Sequence, residues 1–134
     1  MKFEFLEHTA DIKFRSYGKT LNEAFENAVL AVAEYISKGQ KIRSKKGKSI
    51  EVHGSDLENL LYNFLDEIIY LFDAENFIVA KTEITVLGNN IKAILYGDDA
   101  KNYPGLDYIK AATYAEMYVK KTEKGWELQV VMDV

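Results

Sequence analysis

The apolar pattern of this chain changes period along its length, and that change restricts the fold more than any other feature. Leu21, Ala24, Phe25, Ala28, Val29, Val32, Ala33 and Ile36 recur at helical spacing. Leu57, Leu60, Leu61, Phe64, Leu65, Ile68 and Phe72 do the same. Each set makes one broad apolar side of a helix, which must be buried against another element. Elsewhere the period is two. KFEFLE, IKFRSYG, SIEVHG, FIVAKTEITVL, NIKAILYG, Tyr108 to Lys120 and WELQVVMDV read as strands.

Local signals mark the ends of these elements. Thr20 and Glu23 match a capping box, in which each side chain satisfies a backbone N–H at the helix start. Ser55 and Glu58 repeat the pattern before the second helix. Gly39 is expected to close the first helix. The second should run to about Asp73, since Ala74 to Asn76 reads as a turn. GNN between FIVAKTEITVL and NIKAILYG is a hairpin signal, and EKG turns the chain into its last strand. DDAKNYPGL, which holds the only proline, reads as a loop.

Two capped helices and about seven strands predict an α+β fold, with both helices covering one face of a largely antiparallel sheet. No linker, low-complexity tract or convincing repeat interrupts the pattern, so residues 1–134 are expected to form one domain. Apolar residues make up 48% of the chain, enough to build a core without covalent staples.

Composition excludes several kinds of chemistry. The formal net charge of −4 gives no bulk attraction to nucleic acid. The absence of cysteine rules out disulfides, thiolate zinc sites and cysteine nucleophiles, and fits a reducing cytoplasm. No apolar run approaches the roughly 20 residues that span a bilayer. The N-terminus lacks the apolar core of a signal peptide. A soluble, cytoplasmic protein without a membrane partner is expected. There is no GxSxG, Walker loop or GxGxxG, and no serine sits in a nucleophile context. An independent enzyme is therefore not supported.

Some side chains remain to be explained. Asp11 stands at a strand start, and Asp133 is followed by Val134 with its α-carboxylate. If the first and last strands are neighbours, these carboxylates converge, and they repel each other unless a positive group lies among them. A hard cation such as Ca²⁺, Mg²⁺ or Mn²⁺ would fit oxygen donors, and His8 could add a ligand suited to Mn²⁺ or Zn²⁺. From the residues alone the simpler account is a turn cap at Asp11 and a solvated charge at Asp133. Lys110 shares a strand face with Tyr108, Tyr114 and Glu116. It suits a phosphate or a partner carboxylate, and equally a solvent-facing lysine. His53 reads as a strand-end residue. Lys38, Lys41, Arg43, Lys45, Lys46 and Lys48 form a basic stretch that could touch phosphates. It has no interleaved aromatics to stack bases, so a solvated loop is the plainer reading.

Four blocks of the sequence together resemble a known family. EHTADIKF with YGKTLNEAFENA, FLDEIIYLFDAENF, IKAATYAEM and the terminal MDV are similar, in that order, to the signatures of archeases. The resemblance implies a small α+β protein related to strand-helix-strand-strand (SHS2) modules. It implies a protein cofactor of the RtcB-type RNA ligase of tRNA splicing, which meets tRNA indirectly through that ligase. Such a cofactor promotes the ligase's GTP-dependent guanylylation and its multiple turnover, and can broaden its nucleotide use. It further implies a divalent metal ion, Ca²⁺ with Mn²⁺ or Mg²⁺ as alternatives, at Asp11, Asp133 and Val134. Lys110 matches the family's functional lysine, and His8 belongs to the same block as Asp11. A general RNA-binding or chaperone-like module and a metal-dependent hydrolase stand as rival readings.

Overall fold

The computed structural model describes residues 1–8 and 10–134. The elements are β1 (Phe3–Leu6), β2 (Ile12–Gly18), α1 (Leu21–Ser37), β3 (Lys46–His53), α2 (Leu57–Glu75), β4 (Phe77–Leu87), β5 (Asn90–Asp99), a short 3₁₀ turn (Ala100–Asn102), β6 (Ala111–Thr122) and β7 (Gly125–Asp133). Every strand pair is antiparallel, as the alternating segments predict.

The strands form two sheets rather than the single one expected. One runs β1-β2-β7-β6, the other β3-β5-β4. Alternation in a strand fixes which face is apolar but not which partner lies beside it. Both helices bridge the sheets: α1 packs on β2 and β4, and α2 packs on β6 and β4. Their buried stripes meet at Phe25 and Phe64, whose rings stack with centroids 6.2 Å apart.

Thr20 caps α1 as its sequence predicts, accepting the Glu23 N–H at 3.1 Å. The αL residue that ends α1 is Lys38 (φ 54°), one position before Gly39. The cap of α2 is Asp56 rather than Ser55. Its carboxylate accepts the Asn59 N–H at 2.7 Å, and the Asn59 side chain in return accepts the Ser55 N–H at 2.9 Å. The expected pairing of Ser55 with Glu58 has slipped by one residue. The helix runs on to Glu75 and closes on Asn76 in the αL conformation.

The last hairpin positions the site. β7 lies between β2 and β6, with Met132 opposite both Ile12 and Ala112. β6 begins later than its alternation suggests, and its register breaks between Thr113 and Tyr118. Glu116 sits in that break with φ 54°. The extra residues reverse the two faces of the strand. Tyr114 stacks on Tyr62 of α2, whereas Glu116 reaches Lys13 on the other face of the sheet. The single face expected to carry Lys110, Tyr114 and Glu116 together is therefore split.

Candidate metal centre at the strand ends

Three strand ends meet where β7 finishes. Asp133 is paired with Ala111 of β6, and its carbonyl accepts the Lys110 N–H at 2.8 Å. On the other side, Met132 pairs with Ile12, the residue after Asp11. Asp11, Asp133 and Lys110, distant in the chain, thus come to one end of one sheet. Phe14, Leu128, Val130 and Met132 are buried in the core. The period of two therefore turns Asp133 to the opposite, outer face. Val134, at the end of β7, packs half-buried against the core.

Lys110 comes close through its backbone. Its neighbours Tyr108 and Tyr114 lie against α2: Tyr108 is 5.2 Å from the Phe72 ring and Tyr114 is 4.4 Å from the Tyr62 ring. Lys110 stands just before β6 and its side chain is exposed. Among the described residues it makes no ion pair.

His8 and Asp11 lie beside an open hollow that Phe5, Ile12 and Tyr35 also line. His8 Nδ1 is 3.7 Å from Asp11 Oδ2, and His8 Nε2 is 3.0 Å from Glu116 Oε2. Lys13 Nζ donates to the second Glu116 oxygen at 3.1 Å. The Lys13 bond first, and the His8 bond second, hold the Glu116 carboxyl below the usual range. Glu116 is the site residue that sequence reasoning missed. Its partners are 108 and 103 positions away, and only the register break turns it towards them.

The donors can be weighed against a metal ion. Among the described residues no three His, Asp or Glu side chains gather closely enough to hold one. The side chains of Asp11 and Asp133 would have to be supplemented by main-chain oxygen from Val134. That set is all oxygen, the chemistry hard divalent ions take. His8 Nδ1 has no hydrogen-bond partner among the described residues and faces the Asp11 carboxylate at 3.7 Å.

The profile of the archease protein family matches residues 3–134. The chain belongs to the archease family. Protein archease of Pyrobaculum islandicum is 38% identical over 140 aligned positions, covering 98% of this chain and 95% of its own. The solution structure of Methanobacterium thermoautotrophicum protein 1598 superposes with a TM-score of 0.80 at 27% identity, covering 98% of both chains. The crystal structure of the Thermotoga maritima archease, described as a possible chaperone, superposes at 0.61 over 96% of this chain and 94% of its own. At 19% identity that likeness speaks for the fold alone. This archease shares their architecture of two helices on antiparallel sheets. No helix among the described residues is long and apolar enough to cross a membrane.

Proposed function

We propose that this archease is a non-enzymatic protein cofactor of an RtcB-type RNA ligase, acting in the cytoplasm. It would promote guanylylation and multiple turnover of the ligase in tRNA splicing and RNA repair, and widen the nucleotides it accepts. It would meet tRNA only through the ligase. Family membership supports the reading, and one observation carries it. The chain assembles Asp11, Asp133 and Lys110 at a single sheet end through the Ile12–Met132 pairing and the Lys110–Asp133 hydrogen bond.

Asp11, Asp133 and the main-chain oxygen of Val134 would hold a divalent ion, Ca²⁺, Mn²⁺ or Mg²⁺. Bound there, the ion supplies positive charge for phosphate oxygens. The chain's own part is to bring two aspartates together on a stiff sheet. The exposed Lys110 would meet the ligase or its nucleotide as a separate cation. The open hollow beside His8 leaves the strand ends accessible to a partner.

The test is single-turnover guanylylation of the ligase with wild type, Asp11→Ala, Asp133→Ala and Lys110→Ala. Each variant should lose stimulation while keeping its circular dichroism. Full stimulation by all three would defeat the assignment. A general RNA-binding or chaperone-like role predicts instead salt-dependent RNA affinity without the ligase. The basic stretch supports that rival poorly. Lys38 pairs with Asp107, Arg43 with Asp98 and Lys48 with Glu75, so three of its cations already serve the fold.

A further inference from the structure

Exposed aromatic rings gather along one side of α2. Tyr70, Tyr108 and Tyr114 are 55%, 66% and 53% exposed, and they are three of the seven large apolar or aromatic side chains left exposed among the described residues. Tyr62, Asp66, Tyr70 and Asp73 stand three or four residues apart, so they share the outer side of the helix. Tyr114 lies flat on Tyr62, with centroids 4.4 Å apart and planes 7° from parallel, and its hydroxyl accepts from Asn59 Nδ2 at 2.7 Å. Tyr108 leans on Phe72 at 5.2 Å. At the end of the helix, Phe72, Asp73, Tyr103 and Tyr108 line an open hollow of ≈610 Å³. Stacking holds Tyr108 and Tyr114 in place beforehand, so a partner has little side-chain entropy to remove from them.

The charge beside these rings has one sign. The helix carries Glu58, Asp66, Glu67, Asp73 and Glu75 and no lysine, arginine or histidine. Glu75 is paired with Lys48 at 2.7 Å, and the other four make no ion pair among the described residues. A helix is partly negative at its C-terminus, which favours a cation there, yet the last turn of α2 holds no basic residue. Two cations lie nearby, Lys101 on the hollow and the exposed Lys110 between Tyr108 and Tyr114 in the chain. Against four unpaired carboxylates and the helix end they leave the surface acidic.

Rings with carboxylates between them suit arginine. A guanidinium stacks on a tyrosine face and pairs with a carboxylate in the same site, whereas nucleic-acid phosphates are repelled by such a surface. Asp66 and Asp73 are seven residues apart, ~10 Å along the helix. Arginines three positions apart on a polyproline II chain lie on one side of it, ~9 Å apart. We propose that the outer side of α2, with Tyr108 and Tyr114 beside it, is a docking surface for an arginine-bearing segment of a partner protein. The inference rests on these side chains and not on the ligase reading above.

The experiment is a nuclear magnetic resonance titration of ¹⁵N-labelled protein, at low ionic strength, with a blocked peptide in which two prolines separate two arginines. Shifts should concentrate on α2 and around Tyr108 and Tyr114. Tyr70→Ala and Asp73→Asn should each weaken the peptide about 2- to 5-fold, with the dispersion of the spectrum unchanged because both residues are exposed. Glu123→Gln, at an exposed acid in the β6–β7 turn, should change nothing. The same peptide with lysines should bind more weakly, since an ammonium cannot stack as a guanidinium does. Shifts spread over every acidic surface, or equal effects of Asp73→Asn and Glu123→Gln, would reduce the binding to bulk charge and overturn the proposal. Equal binding of the lysine peptide would overturn the choice of arginine. Stronger shifts of the same face by oligouridylate would make nucleic acid the occupant instead. No shift at millimolar peptide would remove the docking surface altogether.

Discussion

Replacing Asp56 with alanine should destabilise the fold by about 1.5 kcal/mol, and replacing Ser55 by less than ~0.5 kcal/mol. The difference follows from which atoms cap α2. The Asp56 carboxylate accepts the Asn59 N–H at 2.7 Å, and loss of such a cap costs ~1 kcal/mol. Its charge at a helix N-terminus adds ~0.3–1 kcal/mol at an exposed site. Ser55 contributes only through its main chain. Its N–H donates to Asn59 Oδ1 at 2.9 Å, and its carbonyl accepts from Asn89 Nδ2 at 3.2 Å. Alanine keeps both bonds. At ~2.1 cal/mol/K per residue, the 134 residues give an unfolding entropy of about 0.28 kcal/mol/K, so the Asp56 change should lower Tm by about 5 °C. Urea unfolding followed by far-ultraviolet circular dichroism would measure both variants, with equal m-values as the check on two-state behaviour. Asp56→Asn should fall between them, since it keeps the acceptor and loses the charge. A cost for Ser55→Ala equal to or above that for Asp56→Ala would refute this account of the cap.

A methyl group added at Gly97 would lie 2.0 Å from the Ile78 carbonyl oxygen, inside the buried pairing of β4 and β5. Gly97→Ala should cost about 2–3 kcal/mol. Hydrogen exchange should show protection lost first in those two strands. Two tyrosines should make the fold sensitive to alkali. Burial first, then a hydrogen bond to Glu4, raises Tyr17 from 10.0 to about 12. Burial and a bond to Glu127 raise Tyr118 to about 12 in the same way. Their folded pKa values lie above the unfolded ones, so their contribution is complete below pH 10 and is lost as pH rises towards 12. The urea midpoint should fall across that interval, with tyrosinate absorbance showing both rings ionising late. A midpoint flat over the same range would contradict it.

The parts of the fold that were legible in the sequence rest on local physics. Thr20 and Glu23 announce α1 because the cap involves residues three apart. GNN announces the β4–β5 hairpin because Gly88 takes the positive φ that the turn needs. The α2 stripe was visible, but its first residue was not. Ser55 and Asp56 are both good caps, and the choice between them depends on Asn59 and Asn89. Asp11, Asp133, Val134, Lys110 and His8 were singled out from their blocks. Which of them face one another could not be read there.

The sequence by itself determined the element types, the two buried helix stripes and the membership of the family, because periodicity, caps and motif order are properties of neighbours along the chain. Tertiary structure decided three further matters. It divided the strands between two sheets, since alternation alone names no partner. It joined the backbones of Lys110 and Asp133 by a hydrogen bond at the end of one sheet. And it turned Glu116 to His8, because a break in register reverses every side chain beyond it, and where that break falls is set by pairing with a strand that comes later in the chain.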